Sequence, residues 1–247
     1  MTDDLHRRRA QSFGARAAAY AEHRPDYPAD GIRWALAGAT HEVRQVLDLA
    51  AGTGKLTAGL LSLGLEVTAV EPDDDMRTEL ARRFPQVRAL PGSAERIPLP
   101  DGSVDAVLVG QAFHWFDPQT APVEIARVLR PGGVVGGLWN AEDNSVDWVA
   151  AMGPLARTSI SETSRISYTF PPYRAFGPLE KAVFPHVHRR TAESMAQTIG
   201  THSDKLVVDE DERQELLTRV SDYLRTVHGS GEFDFPLVTT VVRAVRG

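Results

Sequence analysis

Cysteine is absent from the 247 residues of this chain. Disulfide bonds and thiolate metal sites are therefore excluded, which fits a reducing compartment, and we expect a cytoplasmic protein. Other metal-binding patterns are also sparse. His186 and His188 share one face of a predicted strand, but no third ligand is evident nearby, so we expect no metal.

Runs of positive charge are equally scarce. None is longer than the three arginines at 7–9, and the net charge is −6. A nucleic-acid groove needs a basic surface, so we expect no nucleic-acid partner. No stretch approaches the roughly 20 apolar residues that span a bilayer, and the N-terminus lacks an apolar signal segment, so we expect no membrane partner.

The strongest pattern lies in one stretch, residues 45–72. An apolar strand is followed by small residues at 50–54, a predicted helix over 55–62, and a second strand that stops at Glu71. Such a unit places the turn and the acid side by side at the carboxyl ends of two parallel strands, where open α/β sheets bind ligands. Backbone N–H groups of the turn suit a polar ligand group, and the Glu71 carboxylate suits a ribose diol. Asp48 is expected either to orient the turn or to meet a cationic ligand group.

Two common nucleotide motifs do not match this turn. The dinucleotide fingerprint G-x-G-x-x-G finds its first two glycines in Gly52 and Gly54, but Thr57 stands at the third position. The P-loop needs a glycine five residues before Gly54, where Leu49 stands. The turn therefore matches neither the pyrophosphate-binding nor the triphosphate-binding pattern, and a dinucleotide-dependent oxidoreductase is disfavoured.

The stretch instead resembles motif I of the class I S-adenosylmethionine-dependent methyltransferases, and the chain resembles their type 11 domain. That motif is an acid followed by small residues at alternate positions. The matching residues are Asp48, Ala50, Gly52 and Gly54, with alanine in place of the usual first glycine. The string Glu-Ile-Ala-Arg-Val-Leu-Arg-Pro-Gly-Gly over 124–133 is also typical of the family. The resemblance implies S-adenosylmethionine as cofactor, its methionine half on the turn and its ribose on Glu71.

The same resemblance implies further cofactor contacts. In the family an Asp commonly takes the adenine amino group; Ser93 stands in that place here, and Ala94 offers its N–H. Met76 either lies on the adenine or packs in the core. The cofactor-binding residues that we predict are Tyr20, Arg24, Asp48, Ala50, Gly52, Thr53, Gly54, Glu71, Pro72, Met76, Ser93, Ala94, Glu95 and Gln111.

The N-terminal segment resembles the family's lid over cofactor and substrate. A helix is predicted over 3–22, and the prolines that follow end it. Tyr20, Arg24 and Tyr27 are then expected to face the site, with Arg24 toward a carboxylate. Alternatively, Tyr20 and Tyr27 pack the first helices on the sheet.

The candidate general base is His114, which follows the predicted fourth strand over 104–110. Histidine side chains generally have a pKa range that suits a base at neutral pH, and His114 is expected close to where the methyl group should point. Alternatively, His114 packs against or caps the following helix, and a carboxylate acceptor needs no base. The string Gln-Ala-Phe-His-Trp-Phe-Asp over 111–117 most resembles the group that includes trans-aconitate methyltransferase.

Hydrophobic periodicity predicts the later elements. Asp117-Pro118 is expected to cap a helix that runs to about Leu129, before a fifth strand over 134–139. A helix is expected from Val146 to about Ser159. The last predicted elements are a strand over 179–188, helices over 193–201 and 209–227, and a strand over 232–245.

This order of elements resembles the family over nearly the full chain. We therefore predict a Rossmann-like doubly wound α/β sheet, mostly parallel with a late antiparallel strand, with helices on both faces. We expect one domain: an N-terminal helical lid over 1–40, a cofactor-binding core over 41–140, and a substrate-covering insertion with closing strands over 141–247. The implied activity is methyl transfer to a small-molecule carboxylate, hydroxyl or amine. The alternative is a non-catalytic protein of this fold that binds cofactor or a partner for regulation.

Overall fold

The structure, a computed structural model, describes residues 24–159, 169–170, 172–200 and 208–247. The predicted helix over 3–22 lies outside them. The strands are β1 (Gln45–Leu49), β2 (Glu66–Val70), β3 (Arg88–Leu90), β4 (Val104–Gly110), β5 (Leu129–Glu142), β6 (Glu180–Arg190) and β7 (Phe233–Val245). The helices are α1 (Ala29–Leu36), α2 (Lys55–Ser62), α3 (Asp74–Arg83), α4 (Ala121–Val128), α5 (Asp147–Met152), α6 (Ala192–Gly200) and α7 (Glu210–His228).

All seven strands belong to one sheet, in the order β3-β2-β1-β4-β5-β7-β6. The first five are parallel, because β1 pairs in parallel with β2 and β4, β2 with β3, and β4 with β5. β7 runs antiparallel to β5, since the Gly132 N–H donates to the Arg246 carbonyl and the Asp143 N–H to the Pro236 carbonyl. The predicted Rossmann-like sheet, mostly parallel with one late antiparallel strand, is confirmed.

The chain forms two compact units, and the larger one contains the described residues of 26–140, 166–184 and 239–247. In this unit α1, α2 and α3 pack on one face of the sheet, and α4 packs on the other. Successive strand residues point to opposite faces, so Val46 belongs to the first layer and Leu47 to the second. Helices on both faces are therefore confirmed.

The smaller unit contains the described residues of 24–25, 141–165 and 185–238. Its core joins apolar side chains of α5, α6 and α7, and the Tyr223 hydroxyl donates to the Trp148 carbonyl at 2.8 Å. No helix in the described part of the chain is long and apolar enough to cross a bilayer. The division into lid, core and covering insertion stays a prediction.

The predicted start of α4 is wrong. The helix begins at Ala121 rather than at Asp117-Pro118. The Asp117 carboxylate accepts hydrogen bonds from the N–H groups of Gln119 and Thr120, at 3.0 and 2.8 Å. Asp117 therefore closes a separate turn before the helix. From sequence alone, an aspartate in such a turn looks the same as a helix-capping aspartate, because both accept hydrogen bonds from N–H groups two or three residues later.

Two other predicted boundaries are also wrong. β5 begins at Leu129 rather than in the stretch 134–139, because its first residue already pairs with the start of β4. α5 ends at Met152 rather than near Ser159, and a short 3-10 turn follows it. Pro154 lies in that turn and has no N–H to continue an α-helical ladder.

Candidate cofactor-binding site

The turn between β1 and α2 has two glycines with different surroundings. Gly52 has a φ of +56°, and a Cβ atom added there would meet only the Met76 sulfur, at 3.7 Å. Gly54 has a φ of +87°, and a Cβ atom there would lie 2.7 Å from the Phe84 ring. Packing of the Phe84 ring, directly after α3, therefore requires glycine at 54, whereas Gly52 exposes bare backbone to the space beside it.

Two strand ends carry backbone strain. Within the described residues, Ala50 and Gln111 alone among non-glycines have a positive φ, of 56° and 60°. A positive φ is unfavourable for a residue with a Cβ atom. Ala50 follows β1 and Gln111 follows β4, and these strands are neighbours in the sheet. Chain order reverses between β1 and β4, so both strained residues lie at the topological switch point where such sheets bind ligands.

The Glu71 carboxylate ties this turn to the end of β2. It is 6% exposed; one oxygen accepts from the Gly52 N–H at 2.8 Å and the other from the Asp73 N–H at 2.9 Å. Burial raises the pKa of Glu71, and the two backbone N–H groups oppose that rise. A carboxylate has about four acceptor positions, so about two remain for a ribose diol.

Asp48 is bonded to the helix that follows the turn, and both roles predicted for it stay predictions. It is fully buried, and its Oδ2 atom accepts a hydrogen bond from the Thr57 hydroxyl at 2.5 Å. Its neighbours in register are Ala69 on β2 and Leu108 on β4. Burial in these apolar surroundings raises the pKa of Asp48 to about 7; the Thr57 hydrogen bonds oppose the rise, and the Glu71 charge adds to it.

We expect Asp48→Asn to stabilise the protein above neutral pH. Because folding raises this pKa, the protonated carboxyl contributes stability that is present below the unfolded-state pKa of about 4 and lost as pH rises through about 7. Asparagine keeps an acceptor for Thr57 without a charge. Thermal unfolding is followed from about pH 5 to about pH 8.5. The free energy of unfolding of Asp48→Asn should exceed that of the parent by an amount that grows with pH, to at most about 4 kcal/mol. Asp30→Asn, on the exposed face of α1, is the control, and equal pH dependence of the two variants would contradict this account.

Two predicted residues at the start of α3 differ in exposure. Met76 is buried; its N–H donates to the Asp73 carboxylate at 2.9 Å, and its sulfur faces Gly52. Pro72 is exposed. Met76 thus packs in the core and also borders the open side of the turn, so the two roles predicted for it are compatible.

The predicted adenine-side residues lie in the loop after β3. Ser93 is half-buried and pairs with Arg96 in an isolated bridge, and Ala94 is buried. The Glu95 carboxylate accepts from the Asp117 N–H at 2.9 Å. Glu95 therefore fastens this loop to the turn before α4, and its cofactor contact stays a prediction.

Gln111 is held by a network that sequence reasoning missed. Its side-chain amide donates to the Asn140 carbonyl at 2.8 Å, and its backbone N–H donates to the Leu138 carbonyl at 2.9 Å. The Asn140 side chain in turn donates to the Asp26 carbonyl at 3.1 Å and accepts from the Thr239 hydroxyl. A polar residue directly after the predicted fifth strand was the available signal for Asn140.

The segment before α1 is fastened to the same edge of the sheet. Lys55, the first residue of α2, lies 3.2 Å from the Asp26 carboxylate. The Tyr27 ring fills the space beside Gly110, where an added Cβ atom would lie 2.5 Å from the Tyr27 hydroxyl. Tyr27 therefore packs at the end of β4, as one of the two sequence interpretations expected.

The last three predicted residues are His114, Arg24 and Tyr20. His114 is exposed on a single 3-10 turn after β4, and its ring centre lies 4.6 Å from that of Trp115. Arg24 belongs to the smaller unit, and Tyr20 lies outside the described residues. The roles of all three stay predictions.

Comparison with known proteins decides the family. The sequence profile of the methyltransferase domain matches residues 47–136. An uncharacterized methyltransferase of Mycobacterium tuberculosis is 40% identical over 237 residues, which cover 94% of this chain and 95% of that protein. The chain belongs to the class I S-adenosylmethionine-dependent methyltransferases. An uncharacterized methyltransferase of Schizosaccharomyces pombe is 31% identical over 238 residues, which cover 93% of this chain and 94% of that protein.

A solved structure agrees with this family. A protein of Anaeromyxobacter dehalogenans described as a type II methyltransferase superposes with a TM-score of 0.70 and 27% identity, over 90% of this chain and 97% of its own. The methyltransferase is thus an enzyme whose class uses S-adenosylmethionine, as predicted, and the oxidoreductase that the sequence disfavoured does not apply. Which acceptor it methylates is a separate question.

Proposed function

We propose that this methyltransferase moves the methyl group of S-adenosylmethionine to a small-molecule carboxylate, hydroxyl or amine. The observation that carries the proposal is the pair of strained residues, Ala50 and Gln111, on neighbouring strand ends. Strain of this kind costs about 1–3 kcal/mol per residue and persists where the surrounding structure enforces it, most often at functional sites. One strained end begins the cofactor turn, and the other begins the segment that carries His114.

The residues around the turn fit this cofactor. Gly52 leaves room beside bare backbone, and Glu71 retains acceptor positions for a diol. We assign the methionine half to the turn over 50–54 and the ribose to Glu71. The adenine then lies toward Met76 and the loop after β3.

When bound, the cofactor supplies an electrophilic methyl group attached to a positively charged sulfur. The main task of the protein is alignment, which supplies up to roughly 7–11 kcal/mol of a reaction barrier. His114 is assigned as the base that takes a proton from a hydroxyl or amine acceptor. A carboxylate acceptor is already ionised at neutral pH and leaves His114 without a catalytic task.

The direct test supplies tritium-labelled S-adenosylmethionine together with separate panels of carboxylic acids, phenols and amines. Labelled product with one panel would support the proposal and name the acceptor class. Cofactor binding with no transfer to any panel would contradict the three acceptor classes. A protein that shows neither binding nor transfer would overturn the proposal.

Glu71→Ala should weaken S-adenosylmethionine binding by about 1.5–3 kcal/mol, or about 10- to 150-fold, because it removes a charged hydrogen-bond partner. Isothermal calorimetry measures the change. The control is Glu66→Ala, which removes an exposed carboxylate from the opposite end of the same strand and should leave affinity unchanged. Equal affinities for the two variants would mean that the ribose is held elsewhere.

A further inference from the structure

The Asp48–Thr57 hydrogen bond joins the two elements that flank the cofactor turn. We propose that Thr57 is a positioning residue for the cofactor: its hydroxyl, by holding Asp48, fixes the start of α2 against β1 and so sets the shape of the turn. Thr57 is itself fully buried, so it acts through Asp48 rather than by touching a ligand. This role rests on the proposed function, since it presupposes that the turn receives S-adenosylmethionine.

Position 57 normally calls for a small residue in turns of this kind. In dinucleotide-binding turns a glycine there lets the helix pack closely on the strand. The side chain of Thr57 fills this space, and its hydroxyl donates a hydrogen bond to Asp48 Oδ2 at 2.5 Å. Both side chains are inaccessible to solvent, so the bond lies in a low-dielectric interior where an unpaired polar group is costly.

The bond also encloses the whole turn. It links residues nine positions apart and so closes a loop that contains every residue assigned to the methionine half. Within the loop the Gly54 N–H donates to the Ala51 carbonyl at 2.9 Å, and Arg83 donates to the Thr53 carbonyl at 2.8 Å. Both of these bonds end on turn backbone, whereas the Thr57 bond is a side-chain link from the helix to the strand.

Few charged groups act on Asp48. The residues beside it in register, Ala69 on β2 and Leu108 on β4, are apolar, and α2 contributes only the Thr57 hydroxyl and N–H. Within the described residues, the charge that acts on it is that of Glu71 at the end of β2. A cation bound beside the turn therefore favours ionised Asp48, and loss of the Thr57 donor disfavours it. Cofactor affinity should thus rise as the pH increases and Asp48 ionises. The pH at which this rise occurs should depend on the Thr57 hydrogen bond.

The test compares Thr57→Val, which keeps the shape and loses the hydroxyl, with Thr57→Ser, which keeps the hydroxyl. Both are titrated calorimetrically with S-adenosylmethionine from about pH 6 to about pH 8.5. Thr57→Val should bind about 10- to 100-fold more weakly near neutral pH, and its rise in affinity should move to higher pH. Thr57→Ser should stay within about threefold of the parent throughout. Thr57→Ala is a second variant without the hydroxyl and should show the same displacement.

Val46→Ala separates positioning from general support of the fold. Val46 lies on the same strand and is 1% exposed, so its truncation lowers stability without touching the Asp48–Thr57 bond. It should leave both the affinity and its pH dependence unchanged. A folded Thr57→Val protein with parental affinity, or with a uniform loss that Val46→Ala shares, would overturn the positioning role. Failure of the parent protein to bind S-adenosylmethionine would instead overturn the proposed function.

Discussion

Replacing Gly52 with valine is expected to weaken S-adenosylmethionine binding by about 100-fold or more, while the protein stays folded. A Cβ atom at this position meets only the Met76 sulfur, at an ordinary van der Waals distance. The fold therefore has room for its first side-chain atom. The remaining atoms of valine would occupy the space that the proposal gives to the methionine half of the cofactor. Calorimetry measures the binding, and circular dichroism measures the unfolding temperature.

The positive φ of Gly52 requires a control with the same backbone cost. Gly102, in the loop before β4, has the same φ of +56°, and an added Cβ atom there meets nothing within 4 Å. Gly102→Val should lose a similar amount of stability, of order 1–2 kcal/mol, and keep full binding. A folded Gly52→Val protein that binds as well as Gly102→Val would show that the turn does not approach the ligand.

His114→Ala is expected to lower turnover of a hydroxyl or amine acceptor by about 10²–10⁴, the usual contribution of a general base. His114 is exposed on its 3-10 turn, so removing its ring should change stability by no more than about 0.5 kcal/mol. Cofactor affinity should also persist, because the imidazole is assigned to the acceptor. With a carboxylate acceptor no loss is expected, so the variant distinguishes two substrate classes.

His41→Ala is the matched change for this experiment. His41 is also exposed, but it precedes β1 and so lies at the opposite edge of the sheet from the strand ends that form the site. Its loss should leave turnover intact. Full activity of His114→Ala on a confirmed phenol or amine would refute the base assignment, and loss of fold in that variant would give His114 a structural role.

The fold was largely predictable because its signals are local. Short-range sequence patterns predict these elements directly. Examples are the small residues at 50–54 between two apolar strands and the long apolar run of β4. The two helix boundaries failed through local contacts, of Asp117 and of Pro154, whereas the start of β5 depends on a partner distant in sequence. β5 begins early because Leu129 finds Val104 on the neighbouring strand, and no local pattern shows that pairing.

The site was predictable only in outline. Motif I located Gly52, and the acid that ends the second predicted strand is Glu71; the structure describes a hydrogen bond between the two at 2.8 Å. The sequence showed Thr57 merely as a departure from a glycine motif, and it is the residue that holds Asp48. Asn140 contacts Gln111 and Asp26 across large separations along the chain. Contacts of this kind follow from the tertiary arrangement, so a single sequence does not show which residues will be in contact.

The packing of Phe84 beside Gly54 has a kinetic consequence. Phe84 fills the space next to the turn, Arg83 holds the Thr53 carbonyl, and Glu71 holds the Gly52 N–H, so side chains of the protein itself fix the shape of the turn. A receptor that is already ordered does not spend association free energy on freezing its own loop. Encounter with the cofactor should therefore be a single-step association whose observed rate rises linearly with concentration, without the plateau that a slow rearrangement of the turn would impose.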